Sequence, residues 1–193
     1  DPFNMCEQCE REYHDPEDRR YFAQTNSCPR CAIELQWKDA SGKLLQTDPD
    51  AIYRAVTRAW RQGNIVAIKG IGGYLLTCDA GQATTVARLR ALKQRRRKPL
   101  ALLFPDITQI RQLLHTDTGT EAMLQSPVAP IVLLQMKPAA DEYIACEEVA
   151  PGLESLGVMM PYTPLYELLL QTYGRPVVAT SGNRTNAPIA YRD

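Results

Sequence analysis

The sequence predicts an α/β protein, in which a mixed, twisted sheet with packed helices follows a small cysteine-based module. After residue 47, predicted helices alternate with short apolar strands, but several strands follow one another directly, which favours a mixed sheet. Four of the six cysteines form two close pairs near the N-terminus. We therefore expect one unit over residues 1–42 and another over residues 47–193, joined by a linker at KDASGK.

The two cysteine pairs predict a metal site in the first unit. Cys6 and Cys9 form one pair, eighteen residues follow, and Cys28 and Cys31 form the other pair. Such pairs suit tetrahedral zinc, and four thiolates leave no open position, so we expect a structural zinc finger. The alternative is a dithiol redox pair, which needs one pair of cysteines rather than two. A unit of about 40 residues buries little surface, so the metal is expected to supply most of its folding energy.

The second unit begins with a helix whose ends are marked in the sequence. Thr47 or Asp48 can cap it, Pro49 suits its first position, and Gly63 ends it. Its expected apolar face consists of Ile52, Ala55, Val56 and Ala59.

A glycine turn and a second helix follow. IVAIKGIGGYLLTCDA predicts a strand, a turn and another extended segment. ATTVARLRALKQR is helical by period, with Val86, Leu89 and Leu92 three residues apart on the expected buried face. LALLF follows as a buried strand.

The last third of the chain continues the alternation. DITQIRQLLH is predicted to be a helix, and APIVLLQM and LGVMMP are predicted to be strands. The final helix is capped by Thr163 and closed by Gly174, and the strand PVVAT leads into SGN.

The overall charge is balanced, with 22 basic and 22 acidic residues, so no global field draws the chain to nucleic acid or to a membrane. Apolar runs are strand-sized and no signal peptide is recognisable, so we expect a reducing, cytoplasmic compartment. Because the sequence stops soon after SGN, we expect the second domain to be truncated at its C-terminus.

Three segments at strand ends could bind an anion. The glycine turn KGIGG could bring backbone amides to a phosphate, although a tight turn alone also explains it. TSGN offers two hydroxyls and an amide, but this is also a common turn composition. LKQRRRKPLALLF sets a basic run against a predicted buried strand, whereas such runs usually form a solvated surface.

Together these segments resemble one family. The segments occur in the order found in HypF, the carbamoyltransferases that mature nickel–iron hydrogenases: CEQCEREYHDPEDRRYFAQTNSCPRC, GNIVAIKGIGGYLLTCDA, LKQRRRKPLALLF, SPVAPIVLL, LGVMMPYTPLYELLL and VVATSGNRTNAPI. The first segment is similar to the second zinc finger of that family. The rest resembles its YrdC-like domain, which is shared with threonylcarbamoyl-adenylate synthases of transfer-RNA modification.

The resemblance implies which residues form the site. In the wider family a Lys-x-Arg and a Ser-x-Asn motif bind the nucleotide and the acyl substrate. The matching positions, which are the catalytic candidates, are Lys93, Arg95, Ser181 and Asn183. Lys98 matches a further basic residue of the same loop, and the KGIGG and TSGN segments themselves add Lys69, Gly72, Gly73 and Thr180 as nucleotide-binding candidates. The remaining basic residues of the run, Arg96 and Arg97, are expected to be solvated.

The resemblance also implies a reaction. ATP, with Mg²⁺ on its triphosphate, and carbamate released from carbamoyl phosphate would give carbamoyl-adenylate. The carbamoyl group would pass to a cysteine of a maturation partner protein and become the cyanide ligand of the nickel–iron centre. Two alternatives remain: a threonylcarbamoyl-adenylate synthase, and a zinc-ribbon module that binds nucleic acid through the basic run.

Overall fold

A computed structural model describes residues 4–183 and 187–192. The chain forms two compact units, residues 1–52 and 53–193. Within the described residues, no helix is long and apolar enough to cross a membrane. The predicted sequence of a small cysteine module and a mixed α/β domain is confirmed.

Residues 4–48 of the first unit form a helix and a short hairpin. Helix α1 spans Glu7–His14, and strands β1 (Trp37–Lys38) and β2 (Leu44–Gln46) pair antiparallel. The Asp39 carboxylate accepts hydrogen bonds from the amides of Ser41 and Lys43, at 2.8 and 3.1 Å. KDASGK therefore forms the turn of this hairpin and is not a free linker, because the aspartate side chain supplies acceptors that extended chain would lack.

The second unit is built on a six-stranded mixed sheet. In chain order its strands are β3 (Val66–Gly70), β4 (Gly73–Asp79), β5 (Ala101–Leu103), β6 (Val132–Gln135), β7 (Ser155–Met159) and β8 (Val177–Ser181). The spatial order is β3-β4-β8-β5-β7-β6, with β5 and β7 parallel and every other neighbouring pair antiparallel. Strand β8, which ends at the SGN segment, lies between β4 and β5.

Helices connect these strands. Helix α2 spans Pro49–Arg61, α3 spans Ala83–Leu92 and leads into the basic run, and α4 spans Ile107–Leu113. The sequence patterns did not indicate α5 (Thr118–Leu124), a 3₁₀ helix (Pro138–Glu142) or α6 (Cys146–Val149), which are short. The last helix, α7, spans Pro164–Tyr173.

The predicted helix ends are largely confirmed. Asp48 caps α2, because its carboxylate accepts from the Ala51 amide at 2.8 Å. The Thr163 hydroxyl caps α7, and Gly174 closes that helix at φ 75°, a left-handed conformation that glycine adopts without strain. Leu92 contradicts the predicted face of α3. It is 70% exposed, as the last residue of the helix.

The main core lies between α3, α4, α6 and one face of the sheet. Strand residues of this core alternate with residues of the opposite face, as a sheet covered on both sides requires. The fully buried members from strands and from α3 are Cys78, Val86, Leu89, Leu102, Leu156, Val158 and Val178. This packing fixes α3 against β4 and thereby fixes where the basic run begins.

One buried polar link crosses the opposite face. The indole N–H of Trp60 donates to the Thr77 hydroxyl at 3.1 Å, and that hydroxyl donates to the Val66 carbonyl at 2.9 Å. The link ties α2 to both β3 and β4.

We expect Thr77→Val to lower the free energy of unfolding of the second unit by about 1–3 kcal/mol, because it leaves the buried indole N–H without its acceptor. Urea denaturation followed by tryptophan fluorescence measures the change. Thr77→Ser keeps the hydroxyl and is expected to cost less. A Thr77→Val variant as stable as the unmodified chain would show that the hydrogen bonds of the Thr77 hydroxyl do not stabilise this unit.

Candidate functional site

The four cysteines of the paired motifs meet in one cluster, as predicted. Their sulfur atoms all lie within 4.8 Å of one another. The Sγ–Sγ distances are 3.6 Å for Cys6–Cys28, 3.9 Å for Cys28–Cys31 and 3.6 Å for Cys9–Cys31. Tetrahedral thiolates at about 2.3 Å from a zinc ion lie about 3.8 Å apart, so the donor set fits that geometry.

Local structure orients these sulfurs. Cys6 precedes α1 and Cys9 lies one turn later in the helix, so both face the same side. The side-chain amide of Asn26 donates to the Cys9 carbonyl at 2.8 Å, which holds the second pair close to the first.

The thiols of the cluster differ in pKa. Burial raises the pKa of the Cys9 thiol to about 12. The backbone amide of Arg30 lowers the pKa of Cys28 to about 6, and the Cys28 amide lowers the pKa of Cys31. A cation at the centre favours the thiolate form of all four.

We expect Cys6→Ala to abolish stoichiometric metal binding, because it removes one of four ligands from a small unit. Metal content after desalting, measured by inductively coupled plasma mass spectrometry, tests this. The matched control is Cys146→Ala, which changes a buried cysteine outside the cluster and is expected to retain the metal. Full metal content in Cys6→Ala would contradict the assignment.

The second candidate site lies where α3 ends beside the end of β8. The Lys93 ammonium donates to the Ser181 carbonyl, to the Asn183 carbonyl at 3.3 Å and to the Asn183 side-chain oxygen at 3.1 Å. The Ser181 hydroxyl also donates to that side-chain oxygen, at 2.7 Å. The structure therefore brings together the Lys-x-Arg and Ser-x-Asn motifs, which are far apart in the sequence.

Arg95 reaches the same strand from the other side of Gln94. Its guanidinium donates to the Thr180 hydroxyl at 3.3 Å and to the carbonyls of Lys98 and Pro99, at 3.1 and 2.5 Å. Strand β8 thus contacts Arg95 through the Thr180 hydroxyl, and it contacts Lys93 through the Ser181 carbonyl.

A helix-ending motif sets the direction of these two cations. The Gln94 amide donates to the Ala91 carbonyl and the Arg95 amide donates to the Arg90 carbonyl, both at 3.0 Å. These are the two bonds of a Schellman motif, with Gln94 in the left-handed position at φ 51°. Glycine usually occupies this position, so Gln94 carries backbone strain at the site.

Lys93 and Arg95 are both partly buried, and burial lowers the pKa of each. Burial lowers the pKa of Lys93, and the nearby charge of Arg95 lowers it further. Burial also lowers the pKa of Arg95, with a contribution from the charge of Arg90. The charged forms are therefore costly without an anion, and an anion bound here would offset that cost.

The other basic residues of the run are exposed, which was expected for Arg96 and Arg97 but not for Lys98. The side chains of Arg96, Arg97 and Lys98 are exposed, and Lys98 enters the network through its carbonyl rather than through its ammonium. Lys69 is also exposed, with its ammonium 5.9 Å from the centre of the Tyr74 ring.

The glycine turn lies beside the Ser-x-Asn segment. The Gly182 amide donates to the Tyr74 carbonyl at 2.6 Å, and a Cβ on Gly182 would lie 2.9 Å from that oxygen. A Cβ on Gly73 would lie 2.7 Å from the Ala190 carbonyl, and Gly72 turns the chain at φ 84°. These glycines permit close approach of two backbone segments, and the Tyr74 amide donates to Ala190 at 2.7 Å.

Arg90 is a residue that the sequence analysis missed. It is buried, and its guanidinium donates to the Arg96 carbonyl at 2.9 Å, inside the loop that carries Arg95. Its spacing of three residues from Lys93 was the available signal, because positions i and i+3 share a helix face.

We expect Gln94→Gly to raise the free energy of unfolding by about 1 kcal/mol, because glycine removes the left-handed strain. Chemical denaturation measures this. Gln94→Ala keeps a Cβ and is the matched control, with little change expected. A gain in Gln94→Ala equal to that in Gln94→Gly would mean that the side chain, and not the backbone, is strained.

Comparison with known proteins agrees with these features. A family model described as telomere recombination, which groups Sua5, YciO and YrdC proteins, matches residues 58–193. A second model, described as the HypF finger, matches residues 5–37.

Individual relatives are of two kinds. Carbamoyltransferase HypF of Rhodobacter capsulatus is 42% identical over 187 residues, which are 97% of this chain and 24% of that protein. A crystal structure of full-length HypF in the phosphate- and nucleotide-bound form is 38% identical, with a TM-score of 0.78 over 97% of this chain and 24% of that one. Threonylcarbamoyl-AMP synthase of Vibrio vulnificus is 30% identical over 131 residues, 66% of this chain and 69% of the synthase.

The chain belongs to the Sua5/YciO/YrdC family, and the finger that precedes this domain is the one found in HypF carbamoyltransferases. The resemblance to HypF indicated by the motifs is thus confirmed. The chain spans about a quarter of the length of the HypF proteins that it matches.

Proposed function

We propose that the second unit forms carbamoyl-adenylate from ATP and carbamate, as part of a carbamoyltransferase for hydrogenase maturation. The observation that carries the proposal is the network of Lys93 and Arg95 with Thr180, Ser181 and Asn183. It places two cations and three neutral polar side chains at one strand end.

The reaction brings two anions together. A carbamate oxygen attacks the α-phosphorus of ATP, the bond from that phosphorus to the bridging oxygen breaks, and pyrophosphate leaves with the electron pair. Lys93 and Arg95 would offset the repulsion and stabilise the charge that builds on the phosphate oxygens. Both cations are held at the end of β8 by hydrogen bonds to protein oxygens, and they would exchange some of these acceptors for phosphate oxygens when the substrates bind.

The neutral residues would position the substrates. The Ser181 hydroxyl and the Asn183 amide donate to oxygens of the protein at 2.7 and 2.8 Å, and both groups can exchange these acceptors for phosphate or acyl oxygens. Lys69, Gly72, Gly73 and Lys98 stay predicted contributors to the same pocket.

The metal ions would have separate roles. Zinc would occupy the four-cysteine cluster and stabilise the finger, since a closed thiolate site leaves no position for substrate. Mg²⁺ would accompany the triphosphate of ATP and spread its charge.

The wider reaction involves steps outside this chain. Carbamate would come from carbamoyl phosphate, and the carbamoyl group would pass to a cysteine of a maturation partner protein, to become cyanide of the nickel–iron centre. These steps would take place in the cytoplasm, where such a thiol stays reduced.

The second candidate function is threonylcarbamoyl-adenylate synthesis, which the similarity to the Vibrio vulnificus synthase favours. It uses the same adenylation chemistry on a different acyl substrate. The finger favours the carbamate reaction, because its family model is that of HypF. Nucleic-acid binding by the basic run is disfavoured, because Lys93 and Arg95 turn towards β8.

The decisive experiment is ATP–pyrophosphate exchange with carbamate supplied from ammonium bicarbonate, and in parallel with threonine and bicarbonate without ammonium. We expect exchange with carbamate alone. Exchange that requires threonine would favour the second candidate, and silence in both, with folded and metal-loaded protein, would count against the adenylation proposal for this chain.

We expect Lys93→Ala and Asn183→Ala each to weaken ATP binding and slow the exchange by about tenfold or more, because each removes a charge-assisted contact. Metal content is expected to stay unchanged. Arg97→Ala, which removes an exposed cation of the same run, is the matched control. A larger loss of ATP affinity in Arg97→Ala than in Lys93→Ala would show that the wrong side of the run has been assigned to the pocket.

A further inference from the structure

Arg90 is a further candidate ligand of the anion site, in addition to the four motif residues. It lies in α3 one turn before Lys93, and only 8% of its surface is exposed. A buried arginine normally has partners for its N–H groups, because desolvating a guanidinium is costly. The partners of Arg90 therefore bear on its role.

The hydrogen bonds of Arg90 are incomplete. Its Nη2 donates to the Arg96 carbonyl at 2.9 Å. Its Nη1 is buried, and within residues 4–183 and 187–192 no atom accepts a hydrogen bond from it. Native proteins rarely leave a buried cationic donor in this condition without a functional reason.

Arg90 also lies near another positive charge, that of Arg95. Burial lowers the pKa of Arg90, and the charge of Arg90 in turn lowers the pKa of Arg95. No carboxylate within the described part of the chain forms an ion pair with either arginine. Arg90 and Arg95 are neighbouring like charges, and an anion that contacts both guanidinium groups would stabilise both charged forms.

We propose that Arg90 is the third cation of the anion pocket and that its Nη1 donates to an oxygen of the triphosphate of ATP, while Nη2 braces the loop that carries Arg95. The inference rests on the proposed adenylation function. A polyphosphate suits the site better than carbamate does, because three neighbouring cations match a group with several negative charges. Arg90 would therefore bind the pyrophosphate portion, which is the leaving group.

The test is the affinity of the whole 193-residue chain for inorganic pyrophosphate, ATP with Mg²⁺, and AMP, measured by isothermal titration calorimetry. We expect Arg90→Met to weaken pyrophosphate and ATP binding by about tenfold or more, the worth of one hydrogen bond to a charged group. AMP binding should change by less than about twofold, because AMP lacks the groups that Arg90 contacts.

The matched control is Arg88→Met. Arg88 lies on the same helix, its side chain is exposed, and its guanidinium donates to the Gly63 carbonyl. We expect all three affinities to stay unchanged in this variant.

Two results would overturn the inference. One is pyrophosphate affinity in Arg90→Met equal to that of the unmodified chain. The other is an equal loss for AMP and ATP, which would mean that Arg90 only supports the loop. If Arg90→Met does not fold, Arg90→Lys decides, because lysine keeps the charge but has a single donor nitrogen in place of the two that Arg90 would use for the Arg96 carbonyl and the phosphate. A loss for pyrophosphate of about threefold or more with AMP binding retained is then expected, and an unchanged affinity for pyrophosphate refutes the role.

The outcomes for the inference and for the proposed function are distinguishable. Pyrophosphate binding that depends on Arg90, without any nucleotide binding, would support the anion contact and refute adenylation. Nucleotide binding that is indifferent to Arg90 would support adenylation and refute the third cation. An unmodified chain that binds neither pyrophosphate nor nucleotide would refute both.

Discussion

The contact of the Lys93 ammonium with the end of β8 is the interaction on which the candidate site depends. It joins the end of α3 to the Ser181–Asn183 segment, about ninety residues later in the chain. The core below supports it, since α3 packs on the sheet through Val86 and Leu89. Without that packing the ammonium would lie in solvent, and the two motifs would have no common pocket.

Several energetically unfavourable features lie together at this contact, and a bound anion would account for them. Arg90 and Arg95 are like charges with desolvated guanidinium groups, and Gln94 adopts a left-handed backbone conformation. Strain and unpaired charge cluster at functional sites because the surrounding fold can hold them in place. In this unit the fold that holds them is the mixed sheet and its main core.

The first unit, in contrast, has very little hydrophobic core. Within residues 4–51, Cys9 is the one fully buried side chain, while the apolar Phe22 and Ile33 are 57% and 79% exposed. So little burial gives a weak hydrophobic contribution, and cross-linking four thiolates through one cation is the available substitute. The cluster is therefore both the binding site and the organising centre of the finger.

The sequence alone determined the cysteine cluster, the caps of α2 and α7 and the mixed sheet, because each depends on residue types at short spacing. Family resemblance named the Lys-x-Arg and Ser-x-Asn residues, whose roles stay predictions. The tertiary structure decided the remainder: Lys98 contributes a carbonyl, Leu92 is exposed, KDASGK is a hairpin turn, and Arg90 is buried beside Arg95. Those outcomes depend on which face of a helix meets the sheet and where strands distant in sequence end, and local periodicity carries no information about either.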